Sequence, residues 1–268
     1  MTEEQKPNTI HSSIWQEEAE PDNTFATKAA YCRGYDVYGE MLGHARWVDM
    51  LYLLFNGEAP SEPEADSLEI LAIALANPGP RDASVHAAMC GGVGGSTSAA
   101  CLMAALAVGA GQLAGGREIV LAMHHWIKCG TDLDAWLQVF GQEPEARERI
   151  WPAAEHPPGF DPHGVTTATT TKQTLSMLAR RSGGPYLNWL EQNLTALETA
   201  AGCPLALSGV AAAAFGDLGF TPEKAEMMYL FMRLPGAAAH ALEQRASGYK
   251  KFPFGVVESS SPLPGEAA

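Results

Sequence analysis

Apolar positions are densest between residues 47 and 55, where Trp47, Met50, Leu51, Leu53, Leu54 and Phe55 recur closely enough to bury most of a helix surface. Helical patterning starts near Val37, behind a turn-like Arg33-Gly34-Tyr35-Asp36. It stops at Gly57 and Pro60, because Gly tolerates left-handed dihedrals and Pro cannot continue the ladder. Ser61-Glu62-Pro63-Glu64 then reads as a cap for an Ala/Leu/Ile run over residues 65–76, and Asn77-Pro78-Gly79-Pro80 breaks that run. An amphipathic helix is expected after Gly115-Gly116, running through His125 and Trp126. Two further helices are predicted over 166–181 and 187–201, separated by Gly183-Gly184-Pro185. Residues 205–215 are strongly apolar, Thr221-Pro222-Glu223 caps a Met- and Tyr-rich helix, and Pro235-Gly236 is expected to interrupt it before residues 237–244.

No stretch shows convincing strand alternation and there is no internal repeat, so the class is all-α. Residues 1–30 are polar and acidic and predict a partly extended arm. Residues 141–165 look loop-like, and the Pro-, Ser- and Gly-containing tail from Gly248 is expected to run over the surface. Residues 82–109 are almost free of charge and rich in Ala, Gly and Ser. Gly91-Gly92-Val93-Gly94-Gly95 lacks the Gly-Lys-Ser/Thr ending of a phosphate loop and no strand leads into it, so small residues that let helices approach closely are the better explanation.

At 268 residues the chain can bury one large core or two unequal lobes. Its formal net charge of −14 argues against nucleic acid or an anionic membrane as the main partner. A small phosphate-bearing ligand needs only a few local cations, and Arg117, Lys172, Arg180, Arg181, Arg233 and Arg245 are available for it or for ordinary surface solvation. Five scattered cysteines without a CxxC pair suit a reducing cytoplasm better than a disulfide framework or a zinc site. The first residues carry no apolar run of a signal peptide, and no stretch approaches the ~20 apolar residues of a membrane span.

The order of turn, helix and exit over residues 32–60 resembles the citrate synthase superfamily, in which an RGY-type turn precedes a helix ending in a "YLL…GE.P" phrase. It is most like the short, citryl-CoA-lyase-like members, and with later landmarks the likeness spans about residues 30–255. The resemblance implies a large helical lobe from residues 31–111 and 205–255, a smaller helical lobe from 112–204, an N-terminal arm over 1–30 and a flexible tail over 256–268. It also implies a homodimer paired through the helices of residues 82–109.

Such proteins make or break a carbon–carbon bond beside a thioester carbonyl. That chemistry needs a base for the α-proton, a donor for the enolate oxygen and cations for the oxo acid. The family's "HGGA" phrase is matched by Ala114-Gly115-Gly116-Arg117, where the His has become Ala114. Its "NVDG" phrase is matched by Leu207-Ser208-Gly209, where the Asp has become Ser208, and an unassisted hydroxyl cannot remove a thioester α-proton at neutral pH. The "PGFGH" phrase survives as Pro158-Gly159-Phe160-Asp161-Pro162-His163, which leaves His163 as the catalytic candidate or as a surface loop histidine. Arg233, ahead of Pro235-Gly236 and His240, resembles the family's "R..G..AH..E" helix and is a candidate for the substrate carboxylate together with Arg117.

His240 and Glu243 read better as a structural pair, Arg33 as structural, and His86, His124 or His125 as possible replacements in proton transfer. The resemblance implies a CoA thioester and a 2-oxo acid as substrates, with no metal or redox cofactor. The expected activity is C–C bond formation or cleavage with a rearranged site. The alternative is a non-catalytic CoA-thioester-binding homologue, or a partner subunit of an active paralogue.

Overall fold

A computed structural model describes residues 10–141, 156–181, 183–252 and 255. Among these lie ten α-helices and one small sheet. The helices are α1 (Trp47–Asn56), α2 (Glu62–Leu75), α3 (Ala83–Val93), α4 (Ser98–Gly109), α5 (Gly116–Cys129), α6 (Leu133–Gly141), α7 (Thr169–Arg181), α8 (Pro185–Ala201), α9 (Leu207–Asp217) and α10 (Pro222–Ser247). The all-α expectation therefore holds for the body of the chain.

The N-terminal residues, read as a partly extended arm, contain two paired strands. Strands β1 (Trp15–Glu20) and β2 (Asn23–Cys32) form an antiparallel hairpin that β3 (Tyr35–Asp36) extends. Trp15 pairs with Cys32 and Glu20 with Asn23, with irregularities on either side of Ala19. Most of β1 is exposed, as is the first half of β2, so neither strand carries the apolar alternation that marks a half-buried sheet. The Arg33-Gly34-Tyr35-Asp36 turn is confirmed: Cys32 pairs with Tyr35, and Arg33 and Gly34 between them both have positive φ, at 52° and 91°, as a tight hairpin of the right twist requires. Arg33 is structural, donating from Nη1 to the Ser13 carbonyl at 3.1 Å and from Nη2 to the Leu54 carbonyl at 3.5 Å. The signature helix starts later than expected, since a short π-turn over Val37–Met41 precedes α1.

The chain divides into two compact units, Met1–Ala76 with Ala110–Met232 and Asn77–Gly109 with Arg233–Ala268.

In the first unit α9 is the central element, with Val210, Ala211, Ala212, Ala213, Ala214 and Phe215 fully buried. Four consecutive alanines let α5, α7 and α8 close around it. Asp217 at its C-terminal end accepts from the backbone N–H groups of Tyr186 (2.8 Å) and Leu187 (3.0 Å), capping α8 from a distant part of the chain. An aromatic cluster fills the space between α5, α6 and α8, with Trp126 stacked on Tyr186 at 4.7 Å and meeting Trp136 edge-on at 4.8 Å. The predicted capping box at Ser61 is present, its backbone N–H donating to Glu64 at 2.7 Å.

The second unit is built from α3, α4 and the C-terminal part of α10, around Val85, Ala88, Cys101, Ala105, Ala237 and Ala241. The Gly-rich pentad serves close approach, as expected: a Cβ on Gly91 would lie 3.0 Å from the Cys101 sulfur, and one on Gly92 would collide with the Ala241 carbonyl. Pro235 does not interrupt α10, contrary to expectation. A proline within a helix costs about 3 kcal/mol. Here burial of Ala237 and Ala241, and the ion pair of Arg233 with Asp82, fix the chain on both sides of it. His240 and Glu243 are the expected structural pair, 3.1 Å apart, and His240 Nε2 also meets Asn77 Oδ1 at 3.2 Å. Much of the loop predicted over 141–165, and most of the C-terminal tail, lie outside the described residues.

Candidate functional site

The three phrases matched to the family's catalytic segments are far apart in sequence, and the structure joins them through a residue that sequence reasoning missed. Glu118 occupies the third position of α5, in the first turn, and is only 2 % exposed. One carboxylate oxygen, Oε1, accepts from Ser208 Oγ at 2.7 Å and from the Gly159 backbone N–H at 2.9 Å. The other, Oε2, accepts from the backbone N–H of Ala114. Residues 114–117, 158–164 and 207–209 are thus tied to one buried carboxylate. No cation is paired with it among the described ion pairs, so its negative charge is met by three donors and by the N-terminal end of its own helix.

Local backbone geometry explains why these segments can meet. Gly159 has φ +90°, and a Cβ there would lie 2.9 Å from the Gly209 Cα, so two glycines bring the loop and α9 into backbone contact. The Gly159 carbonyl accepts from the Ala206 N–H at 3.0 Å, Asp161 N–H donates to the Pro204 carbonyl at 2.8 Å, and Phe160 bridges to Leu205. Ala114 sits at φ 52°, a left-handed conformation that a residue with a Cβ adopts at a cost of roughly 1–2 kcal/mol. Glu118 holds its N–H, and Tyr229 donates its hydroxyl to its carbonyl at 3.1 Å.

The expected site residues are placed as follows. Ser208, the second residue of α9, is buried and its hydroxyl points at Glu118. His163 is exposed, at the crest of a turn in which its backbone N–H donates to Asp161 Oδ1 at 2.9 Å. Arg117 is exposed beside the buried Glu118. Arg233 belongs to the second unit, where it is 6 % exposed and ion-paired with Asp82, which also caps α3 through the Ser84 N–H at 2.9 Å. Of the other histidines, His86 lies against Phe252 with ring centroids 5.7 Å apart. His125 meets Trp136 edge-on at 6.0 Å, and burial together with Lys128 and His124 pushes its pKa below the usual histidine range. Among the described residues no cluster of His, Cys, Asp or Glu has the makings of a metal site, and no helix is long and apolar enough to cross a membrane.

The sequence did carry a signal for Glu118. Residues 118, 122 and 126 recur at four-residue spacing on the face of α5 that is buried, and Glu118 is the one charged residue on that stripe. A carboxylate at an apolar-face position requires partners, and their identity depends on tertiary structure.

No protein-family model and no curated protein matches this sequence. Solved structures do match. Citryl-CoA lyase from Hydrogenobacter thermophilus superimposes with a TM-score of 0.70 at 19 % identity, over 95 % of this chain and 97 % of that one. The chain has the citrate synthase fold. ATP citrate lyase from Methanothrix soehngenii, solved with citrate and coenzyme A, matches over 97 % of this chain and 43 % of its own, with a TM-score of 0.71 at 18 % identity. Citrate synthase from Thermoplasma acidophilum, in a ternary complex with carboxymethyl coenzyme A and oxaloacetate, matches over 82 % and 58 % with a TM-score of 0.59 at 15 % identity. The short lyase is therefore spanned almost end to end, whereas this chain spans only 43 % and 58 % of the two longer ones.

Proposed function

We propose that this chain is a citryl-CoA-lyase-like member of the citrate synthase superfamily, which binds a CoA thioester and makes or breaks a carbon–carbon bond between its acyl group and a 2-oxo acid. The observation that carries this reading is the convergence of residues 114–117, 158–164 and 207–209 on Glu118. Segments picked out one by one for their likeness to catalytic phrases would have no reason to meet if the likeness were accidental. The near end-to-end match to a citryl-CoA lyase supports the lyase-like member. The coenzyme A, citrate and oxaloacetate held by the matching structures support the substrate class. In this reading the exposed His163 supplies the imidazole for the oxo acid, Arg117 serves a substrate carboxylate, and two copies form a homodimer.

A second reading is favoured by a specific observation. Ala114 has no proton to give, Ser208 donates its hydroxyl to Glu118, and Arg233 is ion-paired with Asp82. A site so arranged suits a binding homologue or a partner of an active paralogue.

Turnover decides between them. Acetyl-, propionyl- and aromatic acyl-CoAs are each mixed with oxaloacetate, pyruvate or glyoxylate, citryl-CoA is offered alone, and thioesters are followed by mass spectrometry. Product formation that His163→Ala abolishes supports the enzyme. Unchanged turnover in that variant removes His163 from the site, and silence alongside measurable CoA-ester binding selects the second reading.

A further inference from the structure

We infer that a cleft between the C-terminal end of α1 and the first turn of α10 binds a basic α-amino acid, a ligand with one carboxylate and two cationic groups. The inference is independent of the CoA-thioester reading and uses none of the residues tied to Glu118.

The cleft lies within the first unit, has a volume of about 340 Å³, the size of a small-molecule site, and is open to solvent. Tyr52 and Asn56 of α1, Glu58 just past its end, Glu64 of α2, Leu218 after α9 and Lys224 of α10 line it. Its walls are mainly polar, so an occupant has to offer hydrogen-bonding groups rather than apolar surface.

One side of the cleft is rich in acceptors held from below. Tyr52 Oη lies 2.9 Å from Glu64 Oε1 and 3.2 Å from the Leu218 carbonyl, and Asn56 Nδ2 donates to that carbonyl at 3.1 Å. The Ser61 N–H fixes Glu64 Oε2 at 2.7 Å. Tyr52 is buried, so a carboxylate and a carbonyl at the cleft are anchored to the core. Helices α1 and α9 both end here, and helix C-termini carry partial negative charge. Asn56 Oδ1 meets no donor among the described residues, which leaves a further acceptor unused. This side therefore favours positively charged N–H donors.

The other side has the opposite sign. Lys224 is the third residue of α10, so it adds its charge to the partly positive start of that helix. It shares the cleft with Glu58 and Glu64, and no described ion pair joins it to either. An anionic group can thus take the Lys224 ammonium without displacing a partner from those carboxylates.

Charge balance then selects the ligand. Two carboxylates and one ammonium leave the cleft with a formal charge of −1. A neutral α-amino acid leaves one carboxylate unmet, a diamine leaves Lys224 unmet, and an acidic amino acid brings a second anion to the acceptor side. Lysine, ornithine and arginine meet all three groups, and the chain's net charge of −14 favours the approach of a cation.

Calorimetry on the full chain tests this, with L-lysine, L-arginine, L-alanine, L-glutamate and cadaverine, which is lysine without its carboxylate, as probes. L-lysine or L-arginine should bind saturably and at least about 10-fold more tightly than the other three. Glu58→Gln and Lys224→Ala should each weaken L-lysine binding by about 10-fold, and Lys224→Arg should stay near wild type. Lys224→Ala should leave cadaverine binding no weaker, which a merely structural effect at that position would not spare. Melting of each variant without ligand reports whether it folds, and where one does not, the selectivity of the wild-type chain decides. Absence of saturable binding by either basic amino acid overturns the inference. Cadaverine equal to L-lysine overturns it in favour of a polyamine site, and L-alanine equal to L-lysine overturns the charge count. L-lysine binding unchanged in both Glu58→Gln and Lys224→Ala places the ligand elsewhere and overturns the assignment. All of these results leave the CoA-thioester reading standing.

Discussion

Replacing Glu118 by Gln tests whether one carboxylate holds three segments together. The amide oxygen can still accept from Ser208 Oγ and the Gly159 N–H, which lie at 2.7 and 2.9 Å. The amide nitrogen then faces the N–H of Ala114, so a donor meets a donor where Oε2 accepted before. Hydrogen bonds to a charged group contribute roughly 1.5–3 kcal/mol and neutral ones about 1 kcal/mol. Losing one bond and weakening two, against the relief of not burying a charge, leaves a net destabilisation of about 2–4 kcal/mol. Ser208→Ala removes a single donor and should cost about 1.5–3 kcal/mol. The double variant should fall short of the sum by about 1 kcal/mol or more, because the two side chains share one bond. Equilibrium urea unfolding with a fixed m-value gives all three numbers. In a chain of this size each kcal/mol also appears as roughly 2–4 °C in the melting temperature. A Glu118→Gln variant within about 0.5 kcal/mol of wild type, with additive behaviour in the double variant, would refute the reasoning.

Four other outcomes are expected. Gly159→Ala places a methyl 2.9 Å from the Gly209 Cα at a φ of +90° and should cost about 2 kcal/mol or more by the same unfolding assay; a neutral result would mean that the loop does not pack on α9 as described. Arg233→Ala breaks a pair whose arginine is 6 % exposed and should destabilise by about 3–5 kcal/mol, whereas a cost below about 1 kcal/mol would show that the pair with Asp82 does not hold α3 to α10. His125 has its folded-state pKa lowered from the ordinary histidine range of about 6.5, first by burial and then by Lys128 and His124, so below that pH the unfolded chain takes up a proton that the folded chain resists. Stability should therefore fall as pH drops through that value, and His125→Phe, which keeps the aromatic packing, should flatten the slope; an unchanged slope would show that His125 is not its source. Sedimentation at micromolar concentration should give a dimer, and a monomer would count against the homodimer inferred from the resemblance.

How much of this was legible in the sequence depended on whether a signal was local. Gly57 ending α1, the Ser61–Glu64 capping box and the Arg33-Gly34 turn depend on a few neighbouring residues, and the structure contains all three. The hairpin over 15–32 was not legible because its stability comes from backbone pairing and its side chains are mostly exposed. The helical Pro235 was misread because the contacts that offset it, at Asp82 and around Ala241, come from α3 and α4. The candidate site shows the same division. Each phrase could be recognised alone, but Glu118 acquires its meaning only when Gly159 and Gly209 bring two distant stretches of backbone together.

The most direct test of the central claim is hydrogen exchange, followed by mass spectrometry, with and without a CoA thioester. The account predicts slowed exchange on binding in the peptides that span residues 110–118, 157–164 and 205–212, together, in a chain that is otherwise little changed. Protection confined to other parts of the chain, or none at ligand concentrations that saturate binding, would contradict it.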